Sequence, residues 1–200
     1  MKRQPASVFT VLGLMILLAA ACNSPYPFKK RGYFKIDFPE KQYKWFDEPG
    51  YPYAFEYPVY GEILRDSLFF EERTENEWWL NVDFPGYNGR IHLSYKDVRQ
   101  HDFDSLVRDA FEMSFKQHTY KASDIRDSLM KTPEGIEGIY FSLQGNTATA
   151  NQFFLTDSTR HFLRGALYFA ATPNSDSLSV VNDFFKKDML RLINSVKWKN

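Results

Sequence analysis

Trp78-Trp79-Leu80-Asn81-Val82-Asp83-Phe84-Pro85-Gly86-Tyr87-Asn88-Gly89-Arg90-Ile91-His92-Leu93-Ser94-Tyr95 is the stretch that decides the fold class. In its first half Trp78, Leu80, Val82 and Phe84 alternate with Asn81 and Asp83. In its second half Ile91, Leu93 and Tyr95 alternate with Arg90, His92 and Ser94. Successive side chains of a strand point to opposite faces, so this period of two predicts two half-buried strands. Pro85 to Gly89 supply turn residues between them, which makes a hairpin. Trp78 and Trp79 are neighbours, so a strand sends them to opposite faces. One is expected in the core and the other outside, as an anchor for a partner.

C-terminal to the hairpin the periodicity changes. Phe103, Leu106, Val107, Ala110, Phe111, Ser114 and Phe115 recur every three or four residues, an amphipathic helix that Asp102 or Asp104 can cap. Ile125–Met130 reads as a short strand ended before Pro133. A three-strand meander follows over Gly138–Leu143, Ala148–Leu155 and His161–Ala171, with turns at Gln144–Thr147 and Thr156–Thr159. The last helix runs from about Ser177 to Ser195, burying Leu178, Val181, Phe184, Phe185, Met189, Leu192, Ile193 and Val196. The expected class is α+β: an antiparallel sheet with two main packed helices.

N-terminal to the hairpin, residues 25–60 hold six of the ten prolines and thirteen aromatics. Proline removes ladder donors, while a disordered tether is poor in rings. An extended arm with its rings in grooves of the domain satisfies both. Tyr33–Phe38 is its best strand candidate. Tyr33, Phe34 and Phe38 are also candidate partner-binding side chains, although burial is the simpler use of such rings. The expected organisation is a signal segment at 1–21, an arm at 22–60 and an α+β domain at 61–200.

Lys2 and Arg3, an apolar run over Val8–Leu18, and Ala19-Ala20-Ala21 before Cys22 have the layout of a secretory signal. The run is too short to span a bilayer. A small-residue site ending on cysteine resembles a bacterial lipobox, although Ala19 stands where leucine is usual. An ordinary signal peptide that happens to contain a cysteine is the alternative. Lipidation of Cys22 by acyl chains such as palmitate would tether the domain, since each buried CH₂ contributes about 0.8 kcal/mol.

Removal of residues 1–21 leaves 23 basic against 25 acidic residues, a net charge of −2. Without a basic footprint, nucleic acid is an unexpected partner. Cys22 is the sole cysteine, so its lipidation excludes disulfides, thiolate zinc sites and cysteine nucleophiles. Asn23-Ser24-Pro25-Tyr26 lacks the acidic cluster that resembles a surface-export tag. The domain is therefore expected to face the periplasm, with the inner leaflet of the outer membrane favoured over the inner membrane.

Catalytic motifs are sparse. His92, His101, His118 and His161 lie apart, none at the spacing of a helical metal pair, and His101-Asp102-Phe103-Asp104 is explained as a helix start. No nucleophile elbow or phosphate loop occurs. No metal and no cofactor are expected. Glu71, Glu72, Glu75 and Glu77 before Trp78-Trp79 could rim a sugar groove. The interleaved Arg73 fits a solvated mixed-charge loop better.

Together with Cys22, the segments Lys30-Arg31-Gly32-Tyr33-Phe34-Lys35-Ile36-Asp37-Phe38-Pro39-Glu40-Lys41-Gln42-Tyr43 and Trp79-Leu80-Asn81-Val82-Asp83-Phe84-Pro85 resemble the gliding motility lipoprotein GldD family of Bacteroidetes. The likeness runs over nearly the whole mature chain to Ser195-Val196-Lys197-Trp198. Gly32–Pro39 is its most specific block. The resemblance implies a lipid-anchored envelope protein of the gliding machinery and of the type IX secretion system that shares its components. It implies no catalytic residues. The order of helix, meander and helix is also similar to the Mog1/PsbP-like α/β/α sandwich, a likeness of fold alone. The expected function is non-enzymatic support of that apparatus through protein contacts. A periplasmic small-molecule or glycan binder, or weak hydrolase, is the alternative.

Overall fold

The computed structural model describes residues 35–65, 68–69, 72–116 and 118–199. The chain divides into Met1–Ile36 and Asp37–Asn200. Of the first unit, Lys35 and Ile36 are described, and both are exposed. The signal segment, Cys22, Tyr33, Phe34 and Glu71 lie outside the described residues.

In chain order, the second unit's strands and helices begin with β1 (Tyr43–Phe46), β2 (Tyr53–Pro58), β3 (Glu62–Arg65), β4 (Leu68–Phe69) and β5 (Glu72–Arg73). Then come β6 (Leu80–Phe84), β7 (Gly89–Asp97), α1 (Phe103–Phe115), β8 (Ala122–Lys131) and β9 (Glu137–Gly145). The series ends with β10 (Asn151–Thr156), β11 (His161–Phe169), α2 (Ser175–Ser195) and β12 (Lys197–Trp198). Seven strands form one sheet in the order β3-β6-β7-β11-β10-β9-β8. Every pairing in it is antiparallel. The class is α+β, as the period-two and period-3.6 patterns predict.

The expected hairpin is β6–β7, with Leu80 opposite Leu93 and Val82 opposite Ile91. A single 3-10 turn over Pro85–Tyr87 and a left-handed Asn88 (φ 48°) reverse the chain. Asparagine tolerates that conformation better than most residues.

Side-chain parity on the central strands separates two cores. Phe153, Leu155 and Leu163 join the core beneath α2, whereas Phe154 and Phe162 join the one beneath α1. Adjacent residues of a strand point to opposite faces, so α1 and α2 cover opposite faces of the sheet. All six residues of β10 are buried in consequence. On the α2 side Val181, Phe185, Met189, Leu192 and Ile193 pack with Leu80, Val82, Phe84, Ile91 and Leu93. On the α1 side Leu106 and Ala110 meet Phe141, Leu143, Phe154 and Phe162.

The helix starts follow capping chemistry. Asp102 accepts from the Ser105 amide at 2.9 Å. Asn174 Oδ1 accepts from Asp176 N at 3.1 Å and Ser177 N at 3.3 Å. Asparagine is a preferred N-cap, and it begins α2 at Ser175, two residues ahead of the hydrophobic pattern. Strand β8 likewise outruns the expected Ile125–Met130, because its pairing with β9 extends to Lys131 opposite Glu137.

Residues 37–60, within the expected extended arm, hold two short strands. Lys35–Phe38, within the expected strand, carry no strand. Phe38 stacks on Phe184 instead, with centroids 4.2 Å apart and planes at 17°. The regular elements lie further on, in β1 and β2, which pair antiparallel with Tyr43 opposite Pro58. β12 adds to the other edge of β2, Trp198 opposite Tyr53. Proline is tolerated because Pro49 and Pro52 fall between the strands and Pro58 ends β2. This small sheet, order β1-β2-β12, sends Phe46, Tyr53 and Phe55 into the α2-side core.

Candidate functional site

Trp78 and Trp79 precede β6 and are both half-buried. The Trp78 indole donates to the Gly50 carbonyl at 2.8 Å and stands edge-on to Tyr95 at 5.5 Å. The Trp79 indole donates to the Tyr95 carbonyl at 2.9 Å. Neither is a bare surface anchor, because each polar edge is already held by backbone. The expected division between faces nevertheless has a counterpart. Trp78 lines a 220 Å³ cleft with Tyr51, Pro52, Tyr95, Arg99, Arg160 and Lys199. Trp79 lines a 120 Å³ cleft under α1 with Leu106, Met113, Phe162 and Arg164. Phe38 is half-buried against Tyr87 and Phe184, a packing role.

The densest polar cluster escaped sequence reasoning. Asp188, in the middle of α2, is fully buried. Its carboxylate accepts from Lys41 Nζ at 2.7 Å, the Tyr60 hydroxyl at 2.7 Å and the Tyr43 hydroxyl at 3.0 Å. Lys41 also donates to the Phe184 carbonyl at 3.0 Å and lies 3.2 Å from the centroid of the Phe184 ring. Burial lowers the Lys41 pKa against the opposing pull of Asp188. Burial, then the Asp188 charge and hydrogen bond, push Tyr43 up to about 12. Tyr60 is raised by the same causes. Three residues from the aromatic segment are thereby clamped onto α2, and Arg191 adds a 2.5 Å pair with Glu56. The available signal was position: Asp188 follows Phe185 by three and precedes Leu192 by four, inside the apolar stripe.

The remaining candidates are committed elsewhere. Glu75 pairs with Lys96 at 2.8 Å and His101 at 2.5 Å. Burial raises its pKa, but Lys96 and His101 outweigh this and leave it lowered. Glu77 is exposed, and neither glutamate lines the two tryptophan clefts. His161 lies 4.8 Å from the parallel Trp198 ring, and its Nδ1 is 2.8 Å from the Tyr95 hydroxyl. Burial lowers the pKa of both His118 and His161. Among the described residues, no group of three or more His, Cys, Asp or Glu is placed to hold a metal ion.

A family model for the gliding motility lipoprotein GldD matches residues 23–198. The chain belongs to the gliding motility lipoprotein GldD family. As a member it is a lipid-anchored, membrane-associated protein of the cell envelope, and a gliding-motility lipoprotein. The resemblance carried by Gly32–Pro39 and Trp79–Pro85 identified the family correctly. Among curated proteins none matches the chain. Among solved structures, the solution structure of cyanobacterial PsbP (CyanoP) from Synechocystis sp. PCC 6803 is similar at a TM-score of 0.46 and 8% identity. That match covers 86% of this chain and 99% of the other.

Proposed function

We propose that this lipoprotein faces the periplasm and acts without catalysis, supporting assembly or stability of the gliding and type IX secretion apparatus through protein contacts. The observation that carries this reading is the family match across residues 23–198. The use of the ionisable groups supports it. Asp188 receives three donors, Glu75 two, and Asp157 Oδ1 the amides of Thr159, Arg160 and His161. Carboxylates so occupied brace loops and helices and leave little capacity for acid–base work. Cys22, as the tether, would confine the domain to a membrane surface and raise its effective concentration beside partners there. The absence of an acidic cluster in Asn23–Tyr26 supports a periplasm-facing domain.

Proximity crosslinking in a gliding bacterium tests this reading. Capture of motility or secretion components from the periplasmic side is expected. Their absence among crosslinked proteins, with the lipoprotein present at its normal level, would overturn it.

A further inference from the structure

The cleft beneath α1 contains a cation that the packing does not neutralise. Its 120 Å³ lies between Leu106 and Met113 of α1 and Trp79, Phe162 and Arg164 on the sheet side. A water needs about 10–15 Å³ of such space, so the cleft has room for a group the size of one side chain. Arg164 donates to Gln152 Oε1 at 2.5 Å and to the Tyr168 hydroxyl. Both partners are neutral, and among the described residues Arg164 has no carboxylate partner. A guanidinium offers five N–H donors, and leaving one desolvated without an anion is costly. Beside it Gln152, only 1% exposed, has an amide nitrogen without an acceptor. Arg164 thus brings the donor group to a largely apolar cleft, and Gln152 holds it there from behind.

The other charged groups lining the cleft restrict what fits. Lys96 is occupied by Glu75 at 2.8 Å. Asp109, exposed on α1, lines the cleft too and disfavours a second negative charge. We propose that the cleft binds an apolar monocarboxylate, its carboxylate on Arg164 and its hydrocarbon body between Leu106, Met113 and Phe162. A planar fork of donors matches a carboxylate in two-point contact. A free branched-chain acid and the C-terminal residue of a chain ending in leucine present the same chemistry. This inference stands apart from the scaffold reading, because losing the cleft would leave tethering and crosslinked partners unchanged.

The test is calorimetric titration of the full lipidated chain in detergent with 4-methylpentanoate, with 4-methylpentanamide as its uncharged match. A short peptide ending in leucine, as free acid and as amide, distinguishes the two sources. Saturable binding of at least one acid, with its amide about tenfold weaker or more, is expected from the loss of one charge-assisted contact. Met113→Trp should block the cleft without touching Arg164 and abolish the signal. Arg164→Met should weaken binding by a similar factor while melting cooperatively. Should that variant fail to fold, the acid-to-amide ratio on the unmodified chain decides alone. Absence of binding, equal binding of acid and amide, or full binding by Met113→Trp would overturn the proposal.

Discussion

Asp188 shows how one residue can join distant parts of a chain. Its partners Lys41, Tyr43 and Tyr60 lie 147, 145 and 128 positions away. Replacing it by alanine leaves a half-buried ammonium and two half-buried hydroxyls without their shared acceptor. The expected loss is about 3 kcal/mol, or about 6–12 °C in Tm, measured by calorimetry. The pair Lys41→Met with Asp188→Leu should cost much less than the sum of the single changes, since it removes both charges together. Gly165 is a second sensitive residue. It sits opposite Phe153 in the β10–β11 pairing, and a Cβ there would run into the Phe153 ring. Gly165→Ala should cost about 1–3 kcal/mol in denaturant unfolding, because this site is at the sheet centre and cannot relax. A variant as stable as the parent would show that the ring has room to move.

At the scale of elements, β12 matters more than its two residues imply. It extends the small sheet through Lys197↔Ala54 and Trp198↔Tyr53, and it places the Trp198 ring on His161. Lys199 continues the seam, its amide reaching the Pro52 carbonyl at 2.9 Å. Deleting residues 197–200 should strip one edge from β2 and uncover the His161 ring. Faster amide exchange across Tyr53–Pro58 is expected, with the β9–β10 pairing unaffected. Equal exchange in both regions would contradict this view of β12 as a local brace. Helix α2 depends on its start in the same local way. Asn174→Ala removes two capping bonds and should cost about 1 kcal/mol by chemical denaturation.

For the whole molecule, stability should fall at both ends of the pH scale. Burial raises Tyr43 and Tyr95 to about 12 from an ordinary value of 10.0. Above that ordinary value the unfolded chain releases phenolic protons that the fold retains, so stability is lost as pH rises. Lys41 acts in the opposite sense, its lowered pKa costing stability below the ordinary 10.5 and costing less above it. It is one group against several tyrosines, so a net alkaline loss is expected. Tyr43→Phe should reduce that loss in urea titrations across about pH 9–11.5. On the acid side, His118 and His161 are lowered from 6.5 by burial. As pH falls through that value, the unfolded chain binds protons that the fold refuses, and stability declines. A flat profile between pH 7 and about 5 would contradict the burial of these rings. The tether acts at this scale too. Cys22→Ala should release the domain from membranes on fractionation, and full function in a soluble form would show that anchoring is dispensable.

The sequence determined the class of the molecule by itself, because period-two and period-3.6 patterns are local. Leu80–Phe84 had to be a strand, and Phe103–Phe115 an amphipathic helix with Asp102 at its start. Short motifs likewise determined the family. What sequence could not determine is which distant segments meet. That β2 sits between β1 and the C-terminal β12 follows from docking on α2, and no local pattern encodes it. The same holds for Asp188, whose partners come from more than a hundred residues away and whose place in an apolar stripe is its only trace. Trp78 and Trp79 fall between these cases. Adjacency sent them toward different sides, but only tertiary packing gave each indole a backbone acceptor and a cleft. Burial and long-range pairing are collective properties of the folded chain. The positions that depend on them, Lys41, Asp188 and Arg164, were decided by the tertiary structure alone.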